Sequence, residues 1–254
     1  GRTGLEVSPL CIGTVKFGDP TPDEECAEIL EGALDAGVEM LDTAHVYGRS
    51  EEIIGAALAE MGRRDDMVIC TKIQPMANDR STILRQAEAS LRRLRTDHID
   101  VLLLHRPNPE IPIDESLRAL DDLVRSGKVR YIGSSGFKAW QIMEALWCAR
   151  ELGVNRFVCE SSVYSLLCRR PEDELLPMLR TYGVGVTAWS PLGAGVLTNR
   201  YSRDNPPEHV DLSEAEWQVL EAVQEMARRK GRTASQLALA WVASRPGVTS
   251  AIAG

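Results

Sequence analysis

Four side chains carry the chemistry legible in this sequence: Asp42, Tyr47, Lys72 and His105. A carbonyl that takes hydride at carbon must take a proton at oxygen, and a phenol with an unperturbed pKa of about 10 is a poor acid near neutrality. A neighbouring ammonium favours the phenolate, so Lys72 would ease proton release from Tyr47. Asp42 would hold Lys72 charged and in place, while His105 could donate a hydrogen bond that fixes the substrate oxygen. Each also has a plainer reading: Asp42 as a turn or cap residue, Lys72 as a surface lysine, His105 as a hydrogen-bonded core histidine. What joins them is their position where apolar runs give out.

Those runs are Glu39 to Asp42 with Tyr47 just beyond, Met67 to Lys72, and Ile99 to His105. Each is short, apolar and bounded by polar or turn-forming residues, as a strand buried on both faces should be. Further runs of the same kind end near Gly13, Ser134, Ser161, Trp189 and Ala251. Between them lie stretches with apolar residues at spacings of three and four, such as Leu117, Leu120 and Leu123, stopped by Gly37, Gly127 and Gly153. Eight strands, all but the last tied to helical segments, predict an α/β fold: a parallel eight-stranded (β/α)8 TIM barrel in a single domain, residues 1–254. Active sites of such barrels lie at the C-terminal ends of the strands, where the four polar residues fall.

Composition narrows the field. With 254 residues, 44% hydrophobic and 26% charged, the chain can fill one sizeable core. A net charge of −8 offers no footprint for nucleic acid or an anionic membrane. The basic groups Arg92-Arg93, Arg169-Arg170 and Arg228-Arg229-Lys230 read as solvated surface among acidic neighbours. No stretch approaches the roughly 20 apolar residues of a membrane span, and the start does not resemble a signal peptide, so the expectation is a cytoplasmic protein. The six cysteines are dispersed without metal-ligand spacing, and Cys11, Cys70 and Cys159 read as reduced thiols inside strands.

Taken together, the segments Asp42-Thr43-Ala44-His45-Val46-Tyr47-Gly48, Thr71-Lys72, Leu104-His105-Arg106-Pro107, Gly127 to Gly133 and Trp189-Ser190-Pro191-Leu192-Gly193 resemble the aldo-keto reductase superfamily, in order over nearly the whole chain. The resemblance implies an NADP(H)-dependent reductase of a small-molecule carbonyl substrate, an aldehyde, ketone, keto-sugar or quinone, with the nicotinamide bound without a Rossmann domain. It makes Tyr47 the proton donor and Asp42, Lys72 and His105 its partners. It implies that Trp189 stacks on the nicotinamide, that Gly13, Thr14, Asp42 and Ser135 lie beside the cofactor, and that Ser190, Leu192 and Arg200 follow its pyrophosphate.

The sequence departs from the family pattern in three respects. Gly136 stands where the family usually has the Asn that contacts the nicotinamide carboxamide, and Ser161 where many relatives have a Gln. Two hydrogen bonds are thereby weakened or passed to water, each worth about 0.5 to 1.5 kcal/mol. Relatives also continue into a Gly-x-Arg segment that grips the adenosine phosphate, whereas this sequence stops at Gly254, and the loops after Gly18, Gly48, Pro75 and Tyr201 look short. The C-terminal cofactor-binding segment is therefore expected to be lacking or not shown. Potassium-channel β subunits also resemble this family, so a cofactor-binding regulatory protein is an alternative, as is a redox-neutral isomerase or epimerase that retains its nicotinamide. Substrate specificity would come from the barrel-mouth loops, with Phe17, Trp140 and Tyr164 as rim candidates; the oligomeric state is not legible.

Overall fold

Short runs that bury both faces alternate with amphipathic ones, and the computed structural model, which describes residues 1–254, folds them as successive strand and helix units. In order these are β1 (Leu10–Gly13), α1 (Asp23–Asp35), β2 (Met40–Asp42), α2 (Ser50–Met61), β3 (Val68–Ile73), α3 (Arg80–Arg93), β4 (Ile99–Leu104) and α4 (Ile113–Arg125). There follow β5 (Val129–Ser135), α5 (Ala139–Leu152), β6 (Cys159–Val163), α6 (Leu175–Tyr182), β7 (Gly185–Trp189), α7 (Glu214–Arg229), α8 (Ala234–Ala243) and β8 (Ser250–Ala253). Every neighbouring pair of strands is parallel, and β8 closes on β1 through Leu10 opposite Ala251 and Cys11 opposite Ile252. The (β/α)8 barrel expected from the sequence is the fold observed. Its one elaboration is that the β7 to β8 connection carries two helices, α7 and α8.

Local chemistry explains where the elements begin. Ser213 caps α7 in a reciprocal box with Glu216, and Thr233 does the same for α8 with Gln236. Asp79 accepts from the Thr82 amide at the start of α3. On α4 the buried Leu117, Leu120 and Leu123 form one stripe against the barrel wall.

Apolar packing divides into two principal layers. The larger lies between barrel and helices and joins residues such as Leu30, Ile54, Ile83, Leu102, Leu120 and Ile142. The smaller fills the barrel itself with Cys11, Met40, Cys70, Val101, Leu103 and Ile252, and Cys159 packs against it. All six cysteines are free thiols. Burial pushes the Cys159 thiol up to about 12, so it fills the interior as a neutral group. Gly133 on β5 is dictated by space: a Cβ there would lie 2.4 Å from the Cys159 carbonyl oxygen. Packing of this kind fixes the strand ends, and hence the polar side chains at the mouth.

Candidate active site

Asp42 ends β2, Tyr47 lies in the turn leading to α2, Lys72 is the penultimate residue of β3, and His105 directly follows β4. The structure brings all four together. Lys72 Nζ donates to Asp42 Oδ2 at 2.5 Å and to the Thr43 carbonyl at 2.8 Å, with both side chains of the ion pair almost wholly buried. The same Nζ stands 5.0 Å from the centre of the Tyr47 ring. The His105 ring meets Tyr47 edge-on, with 6.0 Å between centroids.

Burial and charge act in opposition on this group. Burial is the largest single effect on Lys72 and presses it down, yet the Asp42 carboxylate, its hydrogen bond and the neighbouring Tyr47 and Cys70 together outweigh it, and the net shift is upward. Burial pushes Asp42 up and the Lys72 ammonium pulls it back, leaving a net rise. The two directions conflict on whether the pair is ionised. Ionisation prevails, because Nζ is held by a carboxylate and a carbonyl that both favour the ammonium. For Tyr47, burial is again the largest effect and raises the phenol; Lys72 lowers it, as the sequence suggested, but by less. The resting phenol therefore keeps its proton.

His105 is pushed down to about 4, first by burial and then by the Lys72 and Arg106 charges. Its Nδ1 is buried without a partner, which leaves Nε2 as the nitrogen that can meet a ligand. A histidine held neutral in the fold stabilises it fully above the unfolded pKa of about 6.5, and this contribution is lost as pH falls towards about 4. Denaturant midpoints of the wild type should thus fall across that window relative to His105→Gln. The difference is expected on the order of 2 kcal/mol after discounting for partial solvent access; parallel curves would show that His105 protonates freely in the fold.

A second layer of polar side chains holds the first. Thr43 donates to Ser50, Ser50 to Thr14, and Thr14 to the Asp42 carbonyl, with separations of 2.9, 2.7 and 2.9 Å. Below Tyr47, Glu51 is buried and accepts from Thr71 at 2.6 Å and from Arg93 Nε at 2.7 Å, while Arg93 Nη2 reaches His45 Nδ1 at 2.6 Å. Arg93 corrects the sequence reading of Arg92-Arg93 as solvated surface: Arg92 is exposed, but Arg93 is half-buried and spans α3 to the turn carrying Tyr47. Glu51, a buried carboxylate on α2, requires it.

The remaining sequence candidates are spread around the mouth. Gly13 ends β1 opposite Asp42 in register, and the Thr14 hydroxyl is fully buried and spent on the Asp42 carbonyl. Ser135 ends β5 opposite Ser161, whose hydroxyl is buried without a partner. Trp189 ends β7, half-buried, and Ser190 follows in the left-handed region with φ +53°. Leu192 packs with Leu197 and Val223 away from the four-residue group, and Arg200 is exposed. Of the aromatic rim candidates, Phe17 belongs to the core between barrel and helices, Tyr164 is buried against Trp241, and Trp140 is exposed on α5.

Sequence reasoning missed Arg106 as more than part of a motif. Gly136 adopts φ +68°, and a Cβ at that position would lie 2.0 Å from Arg106 Nη1. The guanidinium thus occupies space that a side chain at 136 would need. Its Cζ lies 5.7 Å from the Trp189 ring centre. Glycine where a larger residue was expected was the one signal available.

A closed (β/α)8 barrel with an ionised Lys-Asp pair, a tyrosine and a histidine at its C-terminal mouth defines a reductase-like class of barrel. The model of the Aldo/keto reductase family matches residues 9–254, and the chain belongs to that family. It is 38% identical over 277 aligned positions to the uncharacterized oxidoreductase YrpG of Bacillus subtilis (strain 168), covering all of this chain and 85% of that protein. To a probable voltage-gated potassium channel subunit beta of Arabidopsis thaliana it is 38% identical over 279 positions, with the same shares covered. To the versiconal hemiacetal acetate reductase of Aspergillus parasiticus it is 33% identical, covering 97% of this chain and 84% of that protein. Alignments longer than the chain mean that these relatives carry extra residues within the matched span, in keeping with the short loops read from the sequence. Family membership supports an oxidoreductase acting on carbonyl groups, in a family whose members generally bind nicotinamide cofactors. No helix is long and apolar enough to cross a membrane.

Proposed function

We propose that the protein is a cytoplasmic, NADP(H)-dependent reductase of a small aldehyde or ketone, a keto-sugar included, with Tyr47 as the proton donor. The observation that carries this reading is the buried Lys72-Asp42 pair, with Nζ 5.0 Å from the Tyr47 ring and His105 edge-on to the same ring. Tyr47 rests as a neutral phenol and gives its proton to the carbonyl oxygen as negative charge develops there. The Lys72 ammonium then stabilises the phenolate left behind, in a site with little competing water. Asp42 and the Thr43 carbonyl keep Lys72 charged and aimed. Neutral His105 offers an N–H to the same oxygen, which orients the substrate and strengthens as the oxygen gains charge.

The residues present fit a nicotinamide dinucleotide. Trp189 supplies a flat, half-buried ring, and in the loop after β7 Ser190, Gly193, Ala194 and Gly195 all have positive φ, with the Ala194 and Gly195 N–H groups making no backbone hydrogen bond and so left for a phosphate. Ser135, Gly13, Thr14 and Asp42 flank the mouth, and Arg200 offers an exposed cation. When bound, the nicotinamide supplies hydride to the carbonyl carbon. The preference for the phosphorylated nucleotide comes from the family.

Titration of the protein with NADPH and NADH, followed by quenching of tryptophan fluorescence, tests the cofactor assignment. Saturable quenching by NADPH is expected, weakened about tenfold in Trp189→Ala through loss of stacking. No binding of either nucleotide would overturn it. A second reading, a cofactor-binding regulatory protein, is favoured by the similarity to proteins named potassium channel β subunits. It predicts saturable NADPH binding with no turnover of any carbonyl.

A further inference from the structure

Arg106 directly follows His105, and its main chain is pinned by Asn78 Nδ2, which donates to the Arg106 carbonyl at 3.0 Å. The guanidinium, by contrast, is half-buried and forms neither a hydrogen bond nor an ion pair within the protein. It leans over the end of β5 into the space left by Gly136 and towards Trp189 at the end of β7. A separation of 5.7 Å from the indole centre is at the long end of cation–π contact, so the group is held loosely enough to turn to a ligand.

The charge balance of the mouth makes this cation unusual. Lys72 is neutralised by Asp42, and Tyr47 and His105 rest uncharged. The carboxyl group that feels Arg106 is Glu160, fully buried on β6, where it accepts from Ser134 Oγ at 2.6 Å and from the Phe137 amide at 3.0 Å. Burial pushes Glu160 up to about 8, so at neutral pH it is mostly protonated and does not cancel the arginine. A chain of net charge −8 thus keeps one uncompensated guanidinium at the entrance to its site. Guanidinium is weakly hydrated and its planar fork matches a carboxylate with two parallel hydrogen bonds.

We propose that Arg106 is a specificity-determining residue that binds a carboxylate on the carbonyl substrate, making oxo-acids the preferred substrate class. This rests on the reductase reading above. The anion belongs to the substrate rather than to the nucleotide because Arg106 stands beside His105, which addresses the substrate oxygen. The residues assigned to the pyrophosphate follow β7. A carboxylate a few bonds from the carbonyl would reach Arg106 while its oxygen meets His105 and Tyr47.

The test uses straight-chain ω-oxo carboxylates of increasing length and their methyl esters, with wild type, Arg106→Leu and Arg106→Lys. In the wild type at least one acid should exceed its ester in kcat/KM by about 10- to 100-fold, the range of a charge-assisted hydrogen-bonded pair. Arg106→Leu should abolish that preference while leaving ester turnover and the NADPH Kd within about threefold, and Arg106→Lys should restore part of it. A parallel arm measures calorimetric binding of short dicarboxylates, which carry no carbonyl, to wild type and Arg106→Leu. Binding lost in the variant supports the anion subsite even if no aldehyde is reduced, which would sink the reductase reading alone. Equal kcat/KM for every acid and its ester, or dicarboxylate binding unchanged by the substitution, overturns the proposal. So does an Arg106→Leu variant whose main defect is weaker NADPH binding, since that assigns the cation to the nucleotide.

Discussion

Replacing Tyr47 by Phe is expected to lower kcat for carbonyl reduction by about 10²- to 10⁴-fold, the usual worth of a positioned general acid. The loss should appear in kcat and not in cofactor affinity. The substitution removes one hydroxyl from a half-buried ring and leaves intact the edge-on contact with His105 and the Lys72 charge beside the ring. NADPH affinity should stay within about twofold, and thermal stability within roughly 0.5 kcal/mol. Steady-state rates with the best carbonyl substrate, measured beside the fluorescence titration, separate these quantities. His105 is the one other candidate donor at the same oxygen. A variant that keeps a tenth or more of wild-type kcat would move the proton to His105 or to solvent. The direction of the Tyr47 shift bears on this: a phenol raised by burial is protonated at every working pH, as a donor must be, and it depends on the ammonium at the moment the proton leaves.

How much of this was legible in the sequence depended on the range of the interaction involved. The apolar runs ending at Gly13, Asp42 and Trp189 mark the true ends of β1, β2 and β7, and the runs ending at Lys72 and His105 miss the ends of β3 and β4 by one residue each. These boundaries are set locally, by the switch from residues that bury both faces to residues that turn or carry charge. Arg93 was misread because its sequence neighbourhood is polar, whereas its partners Glu51 and His45 come from the far side of a strand and a helix. Thr14 illustrates the same limit: its position beside the mouth was visible, but not that its hydroxyl is spent on the Asp42 backbone. The net direction of the Tyr47 shift needed the depth of burial, which composition and spacing do not encode. Arg106 was quoted only as part of a motif, because the space it enters is created by Gly136 just after the next strand and bounded by Trp189 two strands further on.

Replacing Lys72 by Met should abolish turnover and destabilise the fold by about 3 to 5 kcal/mol, the cost of removing one partner from a buried ion pair. The penalty arises at Asp42, whose Oδ1 is already buried without a hydrogen-bond partner and whose Oδ2 would lose its only cation. The variant escapes part of this by protonating Asp42. With its folded pKa then raised further above the unfolded value near 3.9, the stability regained by protonation is present at low pH and lost as pH rises. The deficit against wild type should therefore be larger at pH 8 than at pH 5, which denaturant unfolding at the two values would measure. The double variant Asp42→Leu/Lys72→Met removes both charges and fills their volume with apolar groups, so it should recover most of the lost stability. It should recover none of the activity. Equal stability of single and double variants at pH 8 would show that Asp42 is solvated or neutral in the native protein, and that the pair is not the buried electrostatic centre described here. Recovery of stability without activity would instead mean that the barrel does not need these charges in order to fold. Two ions held 2.5 Å apart in a nearly dry interior are then retained for what the ammonium does to Tyr47.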